Sequence, residues 1–145
     1  PVGSVLAASA AHIAEARIWR KRFGGGMRQA GILAAAGLYA VRHNIDRLAD
    51  DHARAHRFAV ACAEAVPGVL DPESVETNIV MLDVTAAGWT PADFCAAALA
   101  SGVRTYPAGG PVVRAVWHLD VDDAATAYAV DVVTALLRDR QRAHS

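Results

Sequence analysis

The sequence predicts an α+β fold: helices first, then a short, mainly antiparallel sheet covered by further helices. Two observations carry this. The first half is alanine-rich, with apolar residues recurring at helical spacing. The second half alternates β-branched runs with two more helical stretches, in the order strand, helix, two strands, helix. With 145 residues, 54% of them apolar, one domain is the default expectation and is large enough to bury a core.

Taken in order, Val2–Ser9 is short, apolar and glycine-containing, and reads as a strand or an extended entry. Ala10–Arg22 reads as a helix with its charge concentrated toward the end. Gly24–Gly26 break it, and Met27–Arg42 follow as a second helix. Ala30–Val41 carries no charge, so this helix is expected to be buried on all sides, in a core or an interface. It falls short of the roughly 18–20 apolar residues of a membrane span.

Asn44 is a candidate N-cap for a third helix, Ile45–Ala65, with Ile45, Leu48, His52, Ala55, Ala59 and Cys62 on one face. Asp46, Asp50 and Asp51 lie early and Arg54 and Arg57 later, in the order that the helix dipole favours. Pro67-Gly68 ends the helical half. Asn78–Val84 is a strand, and Thr90-Pro91 caps a helix that Ser101-Gly102 closes. Val103–Tyr106 and Val112–Leu119 are strands around a Pro107–Pro111 turn. The last helix runs from about Asp123 to Arg140, with Ala125, Ala129, Val132, Val133 and Leu136 on one side.

A net charge of −1 argues against nucleic acid or anionic membrane as the main partner. Cys62 and Cys95 stand apart in alanine-rich stretches, with neither zinc nor disulfide spacing, which points to a reducing cytoplasm. Pro1 opens the chain without Met or a basic segment, which reads as a fragment or a chain missing its earlier part, not as a signal peptide.

The candidate binding residues follow from chemistry. Gly24, Gly25 and Gly26, with Arg28 in the first turn of a helix, would make an anion cradle from N–H groups, dipole and guanidinium. The alternative is a glycine turn between tightly packed helices. Arg114 shares one strand face with Val112, Val116 and His118, opposite Val113, Ala115, Trp117 and Leu119. An arginine in a buried strand needs a carboxylate, either from a ligand or from a structural ion pair with an aspartate such as Asp83. His118 is read as a supporting or packing residue. His52 and His56 are i, i+4, half of a metal site at most, and His12, His43 and His144 show no metal spacing. Asn78 is a structural anchor, Trp19, Trp117 and Phe58 are core or interface aromatics, and Asp120 and Asp122 are helix caps.

The words RKRFGGGMRQAGILAAAGLYAV (Arg20–Val41), VETNIVMLDV (Val75–Val84) and VVRAVWHLDV (Val112–Val121) resemble low-specificity L-threonine aldolases. These are pyridoxal-phosphate enzymes of the aspartate-aminotransferase fold type. The resemblance covers essentially the whole chain and corresponds to the later part of such an enzyme. It implies that residues 1–44 end the large cofactor domain and that 45–145 form the small C-terminal domain.

It also implies cleavage of L-threonine or L-allo-threonine to glycine and acetaldehyde, within threonine catabolism and glycine supply. Arg114 takes the position that grips the substrate α-carboxylate, and Lys21 and Arg28 match positions around cofactor and substrate. The glycine loop would lie near a neighbouring subunit's site in a homodimer or homotetramer. The cofactor-attached lysine is expected before Pro1, so the chain by itself is expected to be catalytically incomplete. Two rivals stand beside this: another pyridoxal-phosphate lyase that performs β-elimination, and a non-catalytic amino-acid-binding module.

Overall fold

The computed structural model describes residues 4–144, with side chains described as far as Arg142. Val2, Gly3 and the His144 side chain, which figure in the sequence reading, lie outside the described residues. Two compact units emerge, Pro1–Asp46 and Arg47–Ser145.

In the first unit, Ser4–Ser9 form no strand, contrary to expectation. Helix α1 spans Ala10–Arg22; Ser9 Oγ accepts from the His12 N–H at 3.4 Å, and Arg20, Lys21 and Arg22 fill the last turn, where cations suit the dipole. Gly24 then turns left-handed at φ +77°. Its N–H donates to the Lys21 carbonyl at 3.1 Å, and the Gly25 N–H donates to the Arg20 carbonyl at 2.8 Å. This is the two-bond C-terminal cap that a glycine at this position permits.

Helix α2 spans Gly31–His43, so it does not open at Met27. Gln29 takes a left-handed φ of 54°, which interrupts any helix begun upstream. Nor is α2 buried on all sides: none of its residues is buried, and Ile32 is 85% exposed. Leu33, Ala36, Gly37 and Ala40 form a narrow half-buried stripe.

The second unit opens with helix α3, Leu48–Ala65. Asn44 does not cap it; its N–H donates to the Ala40 carbonyl at 2.8 Å and closes α2. Arg47 occupies the N-cap position and clasps Asp51 through both terminal nitrogens, at 2.9 and 2.6 Å. Asp51 is only 1% exposed, so this pairing offsets the cost of burying its charge. The seam of α3 is Asp51, Ala55, Phe58, Ala59 and Cys62, while Ile45 and Leu48 are exposed.

Strand β1 (Ile79–Asp83), helix α4 (Pro91–Ala100), strands β2 (Tyr106–Gly109) and β3 (Val112–Val116) and helix α5 (Asp123–His144) complete the unit. The sheet is antiparallel, in the order β1-β3-β2. Thr90 caps α4 ahead of Pro91, as its sequence dictates, and Asp122 Oδ1 caps α5 by accepting the Ala125 N–H at 2.8 Å. Asp120 is not a cap.

Two strands depart from expectation. β2 begins at Tyr106 and runs through Pro107, with an irregularity between Pro107 and Gly109. It is an edge strand, where a residue lacking an N–H is tolerated. β3 stops at Val116.

One face of the sheet is covered. Val80, Leu82, Val113, Ala115 and Trp117 pack with Phe58, Cys62, Phe94, Val133 and Leu137. The buried stripe of α5 is Thr126, Val133, Thr134 and Leu137, rotated slightly from the expected face. Among the described residues no helix is long and apolar enough to cross a membrane.

Candidate functional site

The predicted site residues fall into two groups, one in each unit. Gly24, Gly25, Gly26, Lys21 and Arg28 belong to the first, Arg114 and His118 to the second.

Arg114 lies at the middle of β3, the central strand. Its register partners are Met81 on β1 and Tyr106 on β2, so the guanidinium rises between a thioether and a phenol on the sheet's outer face. Ile79, Met81, Tyr106 and Val116 are all exposed there, and so is Arg114. The strand alternation holds through Trp117, but the arginine's side of it is uncovered, so Arg114 is not a buried charge. The ion pair with Asp83 does not form: Asp83 Oδ1 accepts from the N–H and hydroxyl of Thr85. Among the described residues no acid pairs with Arg114. By contrast, Arg54 and Arg57 both reach Asp123, at 3.2 and 2.9 Å.

The resulting electrostatics are local. Hydrogen bonds from Arg54 and then Arg57 hold the Asp123 carboxyl down at about 2. Burial pushes the Cys62 thiol up to about 12.

His118 lies past the end of β3. Its Nδ1 accepts the Asp120 N–H at 3.3 Å and stands 3.7 Å from the Asp120 carboxylate. It lines a cavity that Arg114 does not line. Asn78 is structural: its Nδ2 donates to the Trp117 carbonyl at 2.6 Å. Phe58 and Trp117 are core aromatics with ring centroids 4.9 Å apart, while Trp19 is exposed and stacks on Phe23.

In the first unit, Gly24 and Gly25 cap α1, so their N–H groups are engaged and are not a phosphate cradle. Arg28 sits in a bend before α2, outside its first turn. Lys21 folds over Gly26, where a Cβ would come 2.8 Å from its Cδ and 3.4 Å from its Nζ. Lys21 and Arg28 are both exposed, and among the described residues neither has an ion-pair partner. The loop thus offers two free cations instead of a cradle of amides, a donor set that fits the phosphate end of a cofactor. Among the described residues no three His, Cys, Asp or Glu side chains gather to hold a metal.

Sequence reasoning missed the flanking of Arg114 by Met81 and Tyr106, because Tyr106 was placed at the end of a strand that it begins. It also missed the burial of Asp51, which sits one position away from the expected face.

Comparison with known proteins adds a second kind of finding. The family model described as beta-eliminating lyase matches residues 1–87. A low specificity L-threonine aldolase of Escherichia coli (strain K12) is 40% identical over 124 residues, 83% of this chain and 34% of that protein. A probable low-specificity L-threonine aldolase 2 of Arabidopsis thaliana is 35% identical over 131 residues, 90% of this chain and 37% of that protein. A probable low-specificity L-threonine aldolase of Schizosaccharomyces pombe is 36% identical over 138 residues, 95% and 33% respectively. The chain spans about a third of the length of these curated relatives.

Proposed function

The chain belongs to the beta-eliminating lyase family, and from that premise we propose that it is the later part of a pyridoxal-phosphate-dependent aldolase. Its reaction would be the cleavage of L-threonine or L-allo-threonine to glycine and acetaldehyde. The names of the relatives support this reading, and one structural observation carries it. Arg114 stands alone on an exposed apolar sheet face, flanked by Met81 and Tyr106, with no acid partner among the described residues. A guanidinium so placed is ready for an external carboxylate, and its planar fork matches one bidentately.

In this reading the α-carboxylate of the amino acid binds Arg114, and the exposed side chains of Met81 and Tyr106 limit water around the pair. Lys21 and Arg28 hold the phosphate end of the cofactor with their side chains. Pyridoxal phosphate, when bound, supplies the sink for the electron pair released as Cα–Cβ breaks. The work of Arg114 is to fix the substrate so that this bond is correctly aligned. Residues 1–44 would end the large cofactor domain and 45–145 form the small domain.

The uncovered apolar surface of α2, where Gly31, Ala34 and Ala35 are exposed and the half-buried Gly37 also allows close approach, supports a homodimer or homotetramer with the Gly24–Arg28 loop near a subunit boundary. The relatives' names support a role in threonine breakdown and glycine supply, and the free Cys62 and Cys95 support a cytoplasmic setting.

The test is product analysis with the complete polypeptide that carries this chain. Acetaldehyde release from L-threonine or L-allo-threonine, dependent on pyridoxal phosphate, supports the aldolase. Ammonia release from cysteine or tyrosine, without acetaldehyde, would show a β-eliminating enzyme instead.

A further inference from the structure

Within the Arg47–Ser145 unit, at the end of the sheet beside α5, lies a cavity of about 370 Å³. That is at the low end of the roughly 300–1,000 Å³ typical of small-molecule sites. The aromatic residues Phe58, Tyr106, Trp117 and Tyr128 all line it. Two of them are fixed by bonds made elsewhere. Trp117 Nε1 donates to Thr126 Oγ1 at 3.0 Å, and the Tyr128 hydroxyl donates to the Ser101 carbonyl at 2.9 Å. With their polar handles engaged, what these rings offer a ligand is apolar surface.

Charge at the cavity has one sign. Arg104 lines it, is exposed, and among the described residues has no ion-pair partner; no Asp or Glu lines it. His118 also lines it, and because its Nδ1 accepts the Asp120 N–H, a neutral ring keeps its proton on Nε2 as a donor.

We infer that this cavity binds a small aromatic carboxylate that lacks an amino group. The ring packs against the exposed Tyr106 and Tyr128, over a floor to which the nearly buried Phe58 and Trp117 contribute, and the carboxylate pairs with the Arg104 guanidinium. An ammonium group would find no carboxylate among the lining residues, so amino acids and amines are disfavoured. The cavity adjoins the sheet face that presents Arg114, since Tyr106 borders both, but Arg114 itself does not line it.

Isothermal titration of the complete polypeptide with 3-phenylpropionate tests this. The expected result is saturable binding, one per chain, that L-threonine does not displace. Arg104→Gln should weaken it at least tenfold, and 2-phenylethylamine, with the same ring but an ammonium, should not bind. Ala129→Leu, which narrows the cavity from α5, should also remove binding. Arg104 is exposed, so its variant keeps the test decisive even where Ala129→Leu fails to fold. Absence of binding overturns the inference. So does binding that threonine displaces, that Arg104→Gln leaves intact, or that the amine equals. Aldolase activity is measured separately, so its failure would not be mistaken for failure of this site.

Discussion

Asn78 and Trp117 are joined twice: the Asn78 side-chain amide donates to the Trp117 carbonyl at 2.6 Å, and the Trp117 N–H donates to the Asn78 carbonyl at 2.9 Å. The pair extends the antiparallel β1–β3 ladder by one step, before the first residue of β1 and after the last residue of β3. It also holds Trp117 against Phe58 in the core. Asn78→Ala should therefore destabilise the unit by about 1–2 kcal/mol, the cost of a half-buried bond lost with its acceptor left behind. Asn78→Asp should be worse, since a carboxylate would face a carbonyl. Urea unfolding midpoints of the complete polypeptide measure both; an unchanged midpoint for the alanine variant would show that the ladder alone holds this end.

Arg114→Leu should weaken amino-acid binding by roughly 2–5 kcal/mol, about thirtyfold to several thousandfold, with pyridoxal phosphate affinity nearly unchanged. Arg114→Lys should recover part of the loss, because it keeps the charge but not the two-pronged geometry. Substrate and cofactor titrations separate the two affinities. A variant that binds threonine normally and only unfolds more easily would assign Arg114 to the scaffold.

Asp123 gives a pH-dependent term whose sign is set by Arg54 and Arg57. Its folded pKa is depressed to about 2, below the ordinary aspartate value of about 3.9. The stabilisation is therefore present above about pH 4 and is lost as pH falls toward 2. Asp123 is well exposed, so solvent screening keeps the effect small. Asp123→Asn should be slightly less stable than the parent at pH 6 and indistinguishable from it near pH 2. A gap that widens on acidification would contradict the ion-pair assignment.

The two cysteines should differ sharply toward iodoacetamide. Cys62 is fully buried with its thiol pushed up to about 12, so almost no thiolate forms. Cys95 is half-buried and accepts the Thr105 hydroxyl at 3.3 Å. Peptide mapping over time should show Cys95 modified first and Cys62 only on unfolding. Early labelling of Cys62 would mean that the α3 seam opens in the native state.

Much of the second unit was legible in the sequence because local chemistry decides it. Thr90-Pro91 can hardly do other than open a helix, and the alternation of Val113, Ala115 and Trp117 against Arg114 and Val116 marks a two-faced strand. The first unit was less legible. Three consecutive glycines are compatible with opening one helix or closing another, and only the bonds of Gly24 and Gly25 back to α1 decide between them. Gln29 carries no sign in its side chain that its backbone turns left-handed. Arg114 was found by its position, but its exposure depends on which face of a three-stranded sheet the helices cover. The cavity draws on residues from Phe58 to Ala129, a combination that no local pattern announces.

The clasp between Arg47 and Asp51 bears on how this polypeptide can be dissected. Arg47 is the first residue of the second unit, and without it Asp51 keeps, among the described residues, only Arg54 at 3.7 Å as a counter-charge. A stand-alone recombinant domain starting at Leu48 would strand a carboxylate in the interior and should express as an unstable product. One starting at Asn44 would keep the clasp intact. The practical start site for an excised small domain thus lies no later than Arg47, ahead of the first residue of α3.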